Sequence, residues 1–190
     1  MENASDEMLE LQDRATELQN GATTLDLPPE TAGILNDLRK VLDGVIPTEQ
    51  KDKEAIIYFY DTECADLSNS IASQKAQSIK ETLSMVHLKR AAGVPIRGPR
   101  IYGLDRGGFK TEQGFVGVSV LVSDSVEASI ERPGRELVPY TWTSGVITLF
   151  MENTTLMLPR LKEDEEKDAS SKHRGRTIYF YLMIPVQRQD

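Results

Sequence analysis

Six basic side chains, Lys89, Arg90, Arg97, Arg100, Arg106 and Lys110, fall within one short stretch that also carries five glycines and two aromatic residues, Tyr102 and Phe109. Arginine forks onto phosphate oxygens, glycine lets backbone N–H groups approach an anion, and aromatic rings stack on unpaired bases. The combination predicts an anion- or nucleic-acid-binding segment over residues 89–110, with Tyr102 and Phe109 as stacking residues. The partner it suits is RNA or a phosphorylated headgroup on an anionic membrane surface. A plainer reading pairs these bases with acids of the same or a neighbouring subunit. Acids are in surplus, at 30 Asp and Glu against 22 Lys and Arg, for a formal net charge of −8.

Other constellations are thinner. Cys64 and His87 are a conceivable nucleophile and base, since a thiolate needs a nearby imidazole; packing of a small side chain explains Cys64 more simply. Asp61 and Glu63, with Asp66, follow a strand-like run and have the chemistry to hold a magnesium ion, but acids ahead of a helix are also ordinary capping residues. One cysteine and two histidines, His87 and His173, exclude a cysteine/histidine zinc site and an internal disulfide. No nucleophile elbow, phosphate loop, dinucleotide turn or His-Glu-x-x-His pair is present. No catalytic residue, metal or cofactor is assigned from the sequence.

The elements that must position these groups begin with a heptad-like series. Met8, Leu11, Ala15, Leu18, Ala22 and Leu25 alternate spacings of three and four, which predicts a helix from about Ser5 to Asn20 and a self-association seam in which Met8, Leu11, Leu18 and Leu25 are the oligomerisation residues. Pro28, Pro29 and Glu30 start a second helix that runs to about Asp43 with Ile34, Leu35, Leu38, Val41 and Leu42 on one stripe. Residues 55–60 read as a buried strand and residues 66–91 as the longest helix. The glycine- and proline-rich residues 93–114 read as a long loop. From Phe115 onward, strands recur about every ten residues, and 177–186 is apolar on both faces, as in a central or interface strand.

The expected fold class is α+β: N-terminal helices followed by a mainly antiparallel β body, sandwich or barrel-like, with one long helix packed on it. Residues 1–47 form an acidic helical arm, and residues 55–190 form the body, with the basic loop at 93–114 and a charged loop at 162–176. The acidic N-terminus lacks the order of a secretory signal, and no apolar run is long enough to span a bilayer. These features predict an intracellular protein, cytoplasmic or nuclear. The expected function is that of a non-enzymatic, self-assembling structural or interaction protein, forming homo-oligomers and contacting RNA or an anionic membrane surface. Its layout is similar to that of small virion proteins of the matrix or capsid type, an analogy of organisation that no motif carries. The alternative is a small soluble hydrolase or transferase with its active site under residues 93–114.

Overall fold

A computed structural model describes residues 2–51, 55–159 and 176–189. Three helices and twelve strands are formed among them: α1 Glu2–Asn20, β1 Ala22–Asp26, α2 Pro29–Leu42, β2 Thr48–Lys51, β3 Ile56–Tyr60, α3 Ala65–Met85, β4 Leu88–Arg90, β5 Arg97–Arg106, β6 Gly108–Lys110, β7 Phe115–Leu121, β8 Val126–Glu131, β9 Val138–Trp142, β10 Val146–Phe150, β11 Thr155–Met157 and β12 Thr177–Arg188. Local chemistry accounts for the helix starts. Pro29 fills a first-turn position whose N–H has no helical partner, and Glu30 lies at the positive end of the α2 dipole.

The last eight strands fold as a doubled hairpin. β5 pairs with β12, β6 with β11, β7 with β10 and β8 with β9, each antiparallel. This nesting divides the strands between two sheets. The larger has the order β1-β10-β7-β12-β5-β3-β2, with β4 also on β12, and the smaller has the order β6-β11-β8-β9. Two sheets wound in this way make a jelly roll. The earlier strands β1, β2 and β3 extend the larger sheet at its two edges.

Period-two alternation assigns the faces. On β7, Val116, Val118 and Val120 join one apolar cluster with Leu18, Leu35, Leu38, Leu67, Ile71 and Leu83 of the helices. Leu121 joins a second cluster between the sheets, with Leu104, Trp142, Phe150, Leu156, Tyr179 and Tyr181. Both faces of β7 are buried along its whole length. On β12, Phe180 and Leu182 face the helices while Tyr179 and Tyr181 face the smaller sheet.

Several expectations are corrected here. The fold is a jelly roll covered by three helices of 19, 14 and 21 residues, not a β body with one long helix packed on it. The N-terminal region is no separate arm, because β1 pairs along its length with β10, from Ala22 opposite Phe150 to Asp26 opposite Val146. Leu18 and Leu25, expected to form an oligomer seam, are buried in the chain's own core, whereas Met8 is exposed and Leu11 half-buried. Residues 93–114 are not a loop but supply β5 and β6. Glycine there serves close packing: a Cβ on Gly103 would lie 2.7 Å from the Arg176 Cδ and 3.1 Å from the Tyr60 ring. The charged segment at 162–176 lies outside the described residues except for Arg176.

Candidate functional site

The space between the sheets is filled from both sides by aromatic rings. Phe109 of β6 stacks on Tyr179 of β12 with centroids 5.0 Å apart, and Tyr102 of β5 stacks on the same ring at 5.6 Å. Trp142 of β9 reaches Tyr179 at 5.0 Å and Phe150 of β10 at 6.1 Å. The polar groups set among these rings divide into two kinds. The Tyr181 hydroxyl is 2.9 Å from the Thr111 hydroxyl, and Ser119 donates to the Phe180 carbonyl at 2.9 Å. The Trp142 indole N–H is buried with no acceptor, and the Tyr140 and Thr148 hydroxyls are buried with only each other as partners. Tyr140 and Trp142 share one face of β9, and both rings lie against Phe150, which shares a face of β10 with Thr148. Burial pushes the Tyr179 phenol well above its usual range and also raises Tyr181. These phenols therefore keep their protons and remain hydrogen-bond donors.

A second polar cluster sits where β3, β5 and the start of β12 meet. The Arg176 guanidinium lies over the Tyr58 ring, 3.4 Å from its centroid, and donates to Asp105 at 3.3 Å and to the Tyr60 hydroxyl at 3.2 Å. The Tyr58 hydroxyl faces Asp105 at 2.8 Å and Glu49 at 3.2 Å. Burial, followed by the hydrogen bond to Asp105, pushes the Tyr58 phenol up to about 12. An unfolded tyrosine titrates near pH 10, so the folded state favours the protonated form. This contribution is complete below pH 10 and is lost as pH rises towards 12. Tyr58→Phe is expected to lose less stability than the wild type between pH 10 and 12 in denaturant titrations; equal losses would remove Tyr58 from the account.

The residues singled out in the sequence are placed differently. Lys89 and Arg90 are exposed on β4, and Arg100, Arg106 and Lys110 are exposed on β5 and β6. Arg97 pairs with Glu112 at 2.6 Å and covers the Phe115 ring at 4.3 Å. Tyr102 and Phe109 are not free to stack on bases, because Tyr179 and neighbouring rings occupy their faces. Cys64 and His87 flank opposite ends of α3, whose 21 residues hold them about 30 Å apart, so no dyad forms. Asp61, Glu63 and Asp66 make no metal centre: among the described residues, no three His, Cys, Asp or Glu side chains gather. The sequence reading missed Tyr58, Asp105 and Arg176, and missed the role of Tyr140, Trp142, Tyr179 and Tyr181. The Tyr179-Phe180-Tyr181-Leu182 alternation is the signal that carried the last pair.

The nested eight-strand jelly roll with helices on its larger sheet is similar to the fold of several solved oxygenases. A Pseudomonas putida prolyl-4-hydroxylase shares it over 95% of this chain and 99% of its own, with a TM-score of 0.55 at 10% identity. The non-heme alpha ketoglutarate dependent epimerase SnoN from nogalamycin biosynthesis matches over 96% of this chain and 86% of its own, at TM-score 0.52 and 11% identity. A Trichoplax adhaerens prolyl hydroxylase, solved with a hypoxia inducible factor peptide, matches over 94% and 92%, at 0.52 and 10%. No family model matches the sequence, and no curated protein matches it. The likeness defines the fold. The expectation of a self-assembling matrix- or capsid-type structural protein is overturned by it, because the structures that share the topology over nearly the whole chain are enzymes.

Iron in such oxygenases calls for two histidines and a carboxylate with open positions. The described residues do not supply that centre. His87 is exposed and its carbonyl accepts from the Gln189 N–H, next to the C-terminal end of β12. It is the one histidine among the described residues, and among them no three His, Cys, Asp or Glu side chains gather. His173, the second of only two histidines, lies outside the described residues.

Proposed function

We propose that this protein is an iron-independent relative of the oxygenase-fold enzymes that binds a small, uncharged organic molecule between its two sheets. The observation that supports this most directly is a set of buried donors short of acceptors: the Trp142 indole N–H has none, and the Tyr140 and Thr148 hydroxyls have only each other, which leaves one O–H of that pair over. A buried N–H or O–H without an acceptor costs about 1–3 kcal/mol, and two on adjoining strands of one interior ask for acceptors from outside the chain. The surroundings define the ligand class. Among the described residues the buried polar ones are threonines and serine, and none of the buried side chains is charged, so an ionised ligand would be left uncompensated. A ring-bearing molecule with carbonyl or ether oxygens suits the stacked aromatic walls and the free donors together.

Trp142 is the sole tryptophan and reports directly on this interior. Prodan, a neutral naphthyl ketone, is the probe. In the presence of EDTA it is expected to quench Trp142 emission by energy transfer and to saturate. Thr148→Val, which keeps the shape and removes the hydroxyl, is expected to weaken prodan by about three- to ten-fold. Mn(II) with 2-oxoglutarate should leave both the Trp142 emission and the Tm unchanged. Stoichiometric Mn(II) binding that tightens with 2-oxoglutarate would refute the iron-independent reading, and absence of quenching by prodan would refute the interior site.

A further inference from the structure

A different region of the molecule, remote from the jelly-roll interior and independent of its reading, carries a second recognition site. A cleft of about 410 Å³ opens between α2 and the connection from β3 to α3, within the size range of small-molecule sites. Its floor is apolar, made by Ile34 and Leu38 on one stripe of α2 and by Leu67 in the first turn of α3. Val41, 54% exposed, stands at its rim. Two features of the wall are unfilled. The Thr62 hydroxyl is buried without a hydrogen-bond partner, and the neighbouring Cys64, 8% exposed, is a free thiol.

The charge around the cleft has one sign. Asp37, Glu63 and Asp66 line it and are exposed. Lys40 neutralises Asp37 at 2.8 Å, and neither Glu63 nor Asp66 has a basic partner among the described residues. The other base on this face of α2, Arg39, is turned away: its Nε donates to the Val122 carbonyl and its Nη1 to Asn36. The positive end of α3 is met by Asp66 in its own first turn. An apolar floor rimmed by two carboxylates without basic partners among the described residues suits a cationic amphiphile.

We propose that this cleft binds a primary alkylammonium ion. The alkyl chain lies over Ile34, Leu38 and Leu67, and the ammonium donates to the carboxylates of Glu63 and Asp66. An ammonium has only donors and no acceptor, which suits a carboxylate rim, whereas an alkyl carboxylate of the same length would be repelled.

The test is an amide NMR titration of the full-length protein with n-hexylammonium chloride, n-hexanoate and n-hexanol as separate arms. Hexylammonium is expected to shift the Ile34, Thr62, Cys64 and Leu67 amides saturably, while hexanoate leaves them in place and hexanol binds at least five-fold more weakly. Glu63→Gln, at an exposed position, is expected to weaken hexylammonium by about five-fold, the upper end for an exposed ion pair. Val41→Trp, also exposed, should block the cleft without disturbing the core. The proposal is overturned if these amides stay unmoved up to about 10 mM hexylammonium, if hexanoate or hexanol binds as tightly, or if Glu63→Gln leaves the affinity unchanged.

Discussion

Phe180→Ala is expected to be among the most destabilising single substitutions in the chain, at about 3–5 kcal/mol. Phe180 has no exposed surface and sits at the centre of β12, opposite Ile101 of β5 on one side and Val120 of β7 on the other. Its ring is one of the contacts between the larger sheet and the helices, in the cluster that holds Leu18, Leu38, Ile71 and Leu83. Truncation leaves a void that neither partner closes, because β12 is hydrogen-bonded on both edges and α3 is held by its own packing on α1 and α2. The backbone interactions survive, including the Ser119 hydroxyl donating to the residue-180 carbonyl, so the measurement isolates packing. For a domain of this size the loss corresponds to a Tm lower by roughly 6–20 °C. A decrease of under about 3 °C by calorimetry would mean that this ring does not join the sheet to the helices.

That strand was legible because its chemistry and its position agree: a run apolar on both faces lies between two neighbours and between two layers. Period-two alternation found β7 and β8, and the turn residues Thr143, Ser144 and Gly145 located β10. Spacing failed where one pattern satisfied two geometries. Ala22 and Leu25 continue the three-and-four spacing of α1 and were read with it, yet Ala22 begins β1, whose Leu25 reaches the helical cluster while Ala22 faces the smaller sheet. It failed again at β5, where Gly98, Pro99 and Gly103 carry the composition of a loop. Their reason is tertiary, since Gly103 makes room for Arg176, a residue more than 70 positions away. In the basic segment Lys89, Arg90, Arg100 and Lys110 are exposed, as an anion-binding face requires, but the spacing did not show which of its other side chains are taken up within the chain. Tyr102 and Phe109 find rings on β12 instead of bases, and Arg97 finds Glu112. Nothing in the order of residues announces that Tyr140, Trp142 and Thr148 converge, because their juxtaposition depends on the nesting of the hairpin and on the second sheet.

Gly108→Ala is the complementary case, in which a single added carbon is expected to cost about as much as a lost ring edge. A Cβ at Gly108 would lie 2.0 Å from the Leu156 carbonyl oxygen, 2.8 Å from the Met157 sulfur and 3.0 Å from the Leu156 carbonyl carbon. The nearest atom is backbone, and it belongs to β11, the strand with which β6 is paired in the register of Gly108 opposite Met157. A flexible side chain would swing aside; a carbonyl in a ladder moves only if the strands part. Overpacking of this kind costs typically about 1–3 kcal/mol and more where backbone must shift. The consequence extends inward, because β6 continues into Phe109 and Thr111, which contact Tyr179 and Tyr181. Parting β6 from β11 therefore loosens the aromatic interior as well as the smaller sheet. Gly108→Ala should lower the Tm by roughly 2–12 °C and move Trp142 emission to longer wavelength as water enters. Gly33→Ala supplies the opposite sign: it lies within α2 with no atom within 4 Å of its added carbon, so the same chemical change should stabilise by about 0.5–1 kcal/mol. If both variants shift the Tm in the same direction, the close approach of β11 to Gly108 is not what the smaller sheet depends on.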